Sequence, residues 1–331
     1  MIPVPSMMRH CLTERGTILS RLARGLLVAL VVGLSAASPA TASDWLDGRG
    51  TWVSQAAVIE RLQRADVVLM GEVHDSPDVH ARQVALLEAM ADAPDSPPIV
   101  LAMEQLDLQN RAALERLDGD ASLDGRALAE AGGFDEPGWG WEHYGPLFTL
   151  AAERGWPVRP LNLSRARARE IVRGGSEWRL ALPPDQVAVI ERLAPDLSLP
   201  ETLQTALIED LQRVHCGDMD PAFARRIARA QVARDVLMAD AIRSNRDTFP
   251  GRLVVAVMGN QHARQDRGVG YWLRLWGDEA NHEARPSVVS IGMLPVTEEE
   301  IPNIRDEVSH RYDLRRLTEP DVKRSDRCAS D

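Results

Sequence analysis

The chain has 331 residues, 44% of them hydrophobic and 26% charged, which is enough for one large domain or a domain with an insertion. Its formal net charge of −11 argues against a nucleic-acid partner, since such binders present a basic face. Nearly all the positive charge is arginine; Lys323 is the single lysine, and that is a compositional bias rather than a binding signal.

Residues 1–42 read as a secretory signal. Arg15, Arg21 and Arg24 precede an apolar run, Gly25 to Leu34, that is short for a spanning helix, and Ala40-Thr41-Ala42 offers small residues for cleavage. The expected location is therefore periplasmic or secreted, with the mature chain starting at Ser43. Cys11 precedes the apolar run, so no lipid-attachment cysteine stands at the cleavage site; Cys216 and Cys328 could pair or remain free thiols.

The α/β part is expected over 43–173 and again over 247–297. Trp45 to Arg64 is read as a turn followed by a helix. Val67 to Met70 is an apolar, β-branched run and reads as a buried strand, ending at Gly71 with Glu72, His74 and Asp75 directly after it. Ser76 and Pro77 then suit the cap and first turn of a helix running to Ala91. On that helix Val79, Leu86 and Met90 share a face with Gln83, and His80 can face the same space as Gln83; the pair is either part of a site or an ordinary helix surface.

Ile99 to Met103 is a second strand, with Glu104 and Gln105 at its end. Helices are read over Leu108 to Leu117, Leu123 to Ala131 and Tyr144 to Arg154, with a Gly- and Trp-rich loop from Gly132 to Trp141. Val158 to Leu161 is a third strand ending in Asn162. Residues 174–246 hold no convincing strand and are expected to form a smaller helical subdomain, with helices from Pro183 to Leu193, Glu201 to His215 and Pro221 to Arg246. On the last of these, Gln231 and Arg234 lie on the stripe of Phe223, Ile227, Met238 and Ala241. Such an arginine either meets a ligand or pairs with an acid such as Asp235 or Asp240. Leu253 to Met258 is a clear strand running into Gly259-Asn260-Gln261-His262, and Ser287 to Met293 is read as the last strand. The charged tail, 298–331, is expected to be partly disordered.

The fold expected from these elements is α/β, a mostly parallel sheet flanked by helices. In such sheets ligands bind outside the carboxyl ends of the strands. Those ends carry Glu72 with His74, Glu104, Asn162 and His262, and two of them share the form Gly-x-x-His. Two histidines and two glutamates could hold a divalent metal, act without metal as acid and base, or simply bind a polar ligand. No GxSxG, P-loop, GxGxxG or HExxH motif is present.

The segment GEVHDSPDVHARQ resembles the opening motif of the ChaN-like haem-binding uptake family, within a wider Tiki/TraB-like group. WEHYGPLFTLAAERGWPVRPLN from Trp141, HCGDMDPAFARRIARAQVARDVLMADAI from His215 and VVAVMGNQHARQDRGVGYWL from Val254 fit the same family in order. The resemblance implies haem as ligand, a homodimer, an envelope transport partner in iron uptake, and a tyrosine on the iron. The wider group also implies metal-dependent hydrolysis built on Glu72, His74, Glu104 and His262. No tyrosine lies in 174–246, so His215 or the adjacent Cys216 is the expected substitute ligand, with Tyr144 a further candidate. His215 could equally be a helix-end imidazole. Arg234 is the expected partner of a haem propionate, and His80 with Gln83 complete the candidate cofactor residues.

Overall fold

A computed structural model of the chain describes residues 43–214, 217, 219–279, 285–306 and 309–320. The expected signal segment, His215, Cys216 and Cys328 lie outside the described residues. The strands are β1 (Trp45–Asp47), β2 (Trp52–Val53), β3 (Val67–Glu72), β4 (Ile99–Asp107), β5 (Val158–Asn162), β6 (Leu253–Gly259), β7 (Val288–Pro295) and β8 (Leu314–Thr318). They form one sheet in the order β2-β1-β8-β7-β3-β6-β4-β5. From β8 to β5 every neighbouring pair is parallel, and β1 is antiparallel to both β2 and β8.

The central strands are buried on both faces, which explains why they read as unbroken apolar runs rather than alternating ones. Alternate residues still serve different layers. Val67, Leu69, Val100, Ala102, Val254 and Ala256 pack on one side, with the helices between residues 165 and 273. Val68, Met70, Leu101, Met103, Val255 and Val257 pack on the other.

That second layer contains α1 (Gln55–Gln63), α2 (Pro77–Asp92), α3 (Arg111–Glu115), α4 (Gly125–Ala131) and α6 (Trp141–Glu153), with the single-turn α5 (Glu136–Trp139) leading into α6. The first layer holds α7 (Arg165–Gly174), α8 (Pro184–Leu193), α9 (Glu201–Val214), the long α10 (Pro221–Thr248) and α11 (Val269–Glu279). Helix α10 buries thirteen residues, from Ala224 to Asn245, and packs directly over β5 and β6. This places Gln231, Arg234 and Asp235 above the carboxyl ends of the strands.

Three expectations are corrected. The helix expected before Arg64 is present as α1, but the short strands β1 and β2 precede it where only a turn was expected; strands this short carry too few residues for a period to show. The segment from Leu108 to Leu117 is a 3-10 turn followed by the five-residue α3. Finally, Ser287 to Met293 is not the last strand. The charged tail supplies α12 (Ile301–Asp306) and β8, in which Leu314 and Leu317 face apolar packing. Arg315 within β8 is 2% exposed and donates to the carbonyls of Ile304 and Asp47, so its charge did not mark a solvated segment.

Candidate functional site

The site grows from a break in the sheet. Strand β4 pairs with β6 only as far as Met103 and Val257, and its ladder with β5 shifts register between Met103 and Asp107. Glu104 sits in that break. Its Oε2 accepts the backbone N–H of Gly259 at 2.7 Å, so a side chain replaces the missing ladder bond. Across β6 from β4, Glu72 of β3 lies in register with Gly259. Two glutamates are thereby fixed on either side of one glycine.

Glu72 is 2% exposed and held by several donors. The Tyr144 hydroxyl donates to its carboxylate at 2.9 and 3.0 Å, Gln105 Nε2 at 3.2 Å, and His80 Nε2 lies 3.3 Å away. Its remaining contact is His74, whose Nδ1 lies 2.5 Å from Oε1. The His74 side chain is 46% exposed, so Nδ1 is anchored while the ring reaches the open space above the sheet. A Cβ on Gly259 would come within 3.1 Å of His74 Cε1 and Nε2, and the Trp139 ring packs against the imidazole in a T-shaped arrangement with 4.9 Å between ring centroids. Glycine at 259 is what lets the imidazole lie this close to the strand end. Burial alone would lower the pKa of His74, but the charge and hydrogen bond of Glu72, with Glu104 behind it, outweigh burial and raise it.

His262, on the turn after β6, is 5% exposed and sits between two carboxylates. Its Nδ1 is 2.5 Å from Asp235 of α10, and its Nε2 is 3.4 Å from Glu104. Burial opposes the charged imidazole, but Glu104 and Asp235 overcome it and push the pKa up to about 10. Glu104 responds in the opposite sense. Burial raises it, yet His262 and His74 hold it well below the usual carboxylate range. Burial holds the Asp235 pKa above the ordinary carboxylate value, against the pull of His262.

His80 and Gln83 lie beneath this cluster, 3% and 0% exposed. His80 Nε2 faces the His74 carbonyl at 3.1 Å, and Nδ1 faces the Gln83 amide at 3.2 Å. Burial outweighs the pull of Glu72 and lowers the His80 pKa, so the ring is neutral. With the Gln83 amide turned to donate to Nδ1, its otherwise orphaned Nε2 is satisfied and His80 donates through Nε2.

Above these side chains is a polar cavity of about 710 Å3, lined in part by Glu72, His74, Glu104, Trp139, Gln231, Arg234 and His262. Next to it, between α7 and α10, runs a second and quite different cleft of about 630 Å3. Ala168, Val172, Phe223, Ile227 and Ala230 make its apolar walls, and Arg165, Arg169, Arg173 and Arg234 border it. Arg165, Arg169 and Arg173 recur every four residues on α7 and so share one side of the helix. Gln231 and Arg234 line both spaces. Arg234 makes no ion pair among the described residues, and its Nε is buried without a hydrogen-bond partner. An arginine in this state is suited to an anionic group arriving from outside.

The residues expected at the strand ends therefore divide. Glu72, His74, Glu104 and His262 do meet, and Arg234 joins them. Asn162 does not line the cavity; its side chain is buried with Oδ1 unpaired. Tyr144, His80 and Gln83 are corrected from cofactor ligands to supports of Glu72 and His74, because all three are buried and none lines either space. Burial and the Glu72 charge also drive the Tyr144 phenol far above its ordinary value. The expected divalent-metal centre finds no support. Among the described residues no group of three or more His, Cys, Asp or Glu is placed to hold an ion. In the structure His262 contacts Asp235 and Glu104, and Glu72 contacts Tyr144, Gln105, His74 and His80. Asp235, Trp139 and the arginine row on α7 were missed. The four-residue spacing of Arg165, Arg169 and Arg173 was visible in the sequence, whereas Asp235 needed the packing of α10 on β6.

The profile of one protein family, described as haem-binding uptake, Tiki superfamily, ChaN, matches residues 58–273. The fold is similar to the structure titled as cofacial haem binding to ChaN of Campylobacter jejuni, at a TM-score of 0.64 and 17% identity, covering 83% of this chain and 96% of that one. A succinoglycan biosynthesis protein is matched more loosely, at a TM-score of 0.42 and 12% identity over 80% of this chain and 91% of that one. A Bacillus cereus protein is matched at 0.40 and 13%, over 75% and 70%. No curated protein matches the sequence.

Proposed function

Because this chain belongs to the haem-binding uptake family of the Tiki superfamily, ChaN, we propose that it binds haem in the cleft between α7 and α10. The observation that carries this reading is the pairing of an apolar slot with a cationic border. A porphyrin needs flat apolar walls, and its two propionates need cations. Ala168, Val172, Phe223, Ile227 and Ala230 supply the first, and Arg169, Arg173 and Arg234 the second. The volume of about 630 Å3 lies within the range of ligand pockets, roughly 300–1,000 Å3. Phe223 is 41% exposed, an apolar ring left open to a partner surface.

The cleft offers apolar walls for a macrocycle and cations for its propionates, and no described side chain for the iron. None of the described residues lining the cleft is His, Cys, Met or Tyr. His215 or the adjacent Cys216 is the proposed iron ligand, since both precede the first turn of α10, which carries Phe223 into the cleft. The haem is cargo in this reading. The apolar walls exclude water from its faces, and the arginines fix its propionate edge. We place the function in iron acquisition or haem handling, in a chain exported by residues 1–42.

Haem titration followed by absorbance tests the proposal. The expected result is a saturable Soret shift, weakened about fivefold to tenfold in Arg234→Ala, which corresponds to the roughly 1–1.4 kcal/mol of a charge-assisted bond at a partly open site. A Soret band that stays at its free-haem position at all protein concentrations would overturn it.

A further inference from the structure

We infer that a cavity beside the amino ends of β7 and β8 is a second ligand site, which takes a small organic phosphomonoester. This goes beyond haem binding, and none of its residues lines the cleft between α7 and α10.

The cavity has a volume of about 850 Å3, larger than either space described above. Val288 opens β7 on its wall, and Asp313 directly precedes β8. The turn after β1 contributes Arg49, α1 contributes Arg61, and α11 contributes Leu273 and Arg274. None of the strand-end histidines or glutamates lines it. With Arg285, four arginines stand against three aspartates, so the lining is net cationic in a chain whose formal charge is −11.

The three aspartates are already answered from within the fold. Arg264 donates to both oxygens of Asp266, at 2.8 and 2.5 Å. Burial raises the Asp266 pKa, yet Arg264 holds it below the ordinary carboxylate value. One oxygen of Asp313 accepts from Arg61 at 3.0 Å, and the other from the Ser290 N–H at 2.9 Å and from Gln265 Nε2. Asp47 Oδ1 accepts the N–H groups of Arg49 and Thr51 at 2.9 and 2.8 Å.

Two of the cations are not answered. Arg274 donates to the side-chain and backbone oxygens of Gln265, both neutral, and forms no ion pair among the described residues. Desolvation lowers its pKa, and the charges of Asp313 and Asp266 offset only part of this. Arg49 is exposed, and its guanidinium forms no ion pair among the described residues. Two forked donors thus border one space without a counter-ion, which is the arrangement that recognises a planar or tetrahedral oxyanion.

The ligand class follows from charge and size. Two open cations call for two negative charges, and a phosphomonoester carries close to that many on one head, with three strong acceptor oxygens. The volume falls within the roughly 300–1,000 Å3 of small-molecule sites, so the head brings an organic body with it. Leu273, Pro286 and Val288 give that body an apolar wall.

Titration calorimetry of the full chain with phenyl phosphate at low salt tests the inference, with citrate and inorganic phosphate alongside. The expected result is saturable binding of phenyl phosphate with a Kd of about 1 mM or tighter, weakened about fivefold to tenfold in each of Arg49→Ala and Arg274→Ala. Arg274→Lys, which keeps the charge and loses the fork, should fall between. Thermal unfolding and haem titration should be unchanged in Arg49→Ala, which carries the test should Arg274→Ala fail to fold. Haem binding and phenyl phosphate binding are read separately, so the failure of one leaves the other standing. The inference is overturned by the absence of saturable heat, by equal affinity in wild type and variants, or by citrate or inorganic phosphate binding as tightly as phenyl phosphate. A loss confined to Arg169→Ala with Arg173→Ala would place the anion in the haem cleft and overturn it too.

Discussion

Replacing His262 by leucine puts the electrostatics of the site to the hardest test. The wild-type ring is 5% exposed and lies between Asp235 and Glu104, which are 3% and 2% exposed. Leucine leaves two buried carboxylates without their cation. Removing one partner of a buried ion pair costs about 3–5 kcal/mol. At about 2 °C per kcal/mol for a chain of this size, the midpoint should fall by about 6–10 °C. The pH dependence carries the sign. The folded pKa of His262 is raised to about 10 from 6.5, so its stabilisation is complete below about 6.5 and is lost as pH climbs through about 10. Wild-type stability should therefore decline across that window, and His262→Leu should show no such decline. The variant's own deficit should shrink in acid, as the stranded carboxylates take up protons. Adding Asp235→Asn and Glu104→Gln to the leucine variant should recover much of the loss. Calorimetry across pH 5–10 reads all three. A deficit under about 1 kcal/mol with the alkaline slope intact would refute the reasoning, since that is what an exposed, solvated imidazole would give.

Other predictions concern the supports of the site. Tyr144→Phe removes a donor from the buried Glu72 and should cost about 1–3 kcal/mol in urea unfolding, with the fold retained. Gly259→Ala should displace the His74 ring, because the new methyl would stand 3.1 Å from Cε1 and Nε2; a crystal structure of the variant showing His74 unmoved would contradict this. Arg169→Ala with Arg173→Ala should weaken haem binding up to about fivefold per residue at low salt and much less at 1 M salt, as expected of exposed charges.

Much of this arrangement was legible in the chain. The apolar runs at Val67, Ile99 and Leu253 each end in a polar group, and the parallel sheet brings three of those ends to one cavity. What stayed hidden was long-range pairing. Glu104 reads as a strand-end acid, yet β4 continues to Asp107, and Glu104 acts by bridging a break in the ladder to Gly259. Asp235 reads as one more helical acid until α10 lies across β6 and sets it against His262. Tyr144 falls in a recognisable motif, but its role depends on a carboxylate 72 residues earlier. Strand β8 was missed for a different reason. Leu314-Arg-Arg-Leu is half charged, and only the carbonyls of Ile304 and Asp47 make burial of Arg315 tolerable. The apolar cleft was half legible: Phe223 and Ile227 with Gln231 and Arg234 were visible as one stripe of α10, but the facing wall on α7 was not.

The central claim is that haem lies between α7 and α10. Amide hydrogen exchange with and without haem, followed by mass spectrometry, measures this most directly. The account predicts added protection in Arg165–Gly174 and in the first four turns of Pro221–Thr248, with β3 and α2 unchanged. Protection that falls elsewhere, or no change in either helix at saturating haem, would contradict it.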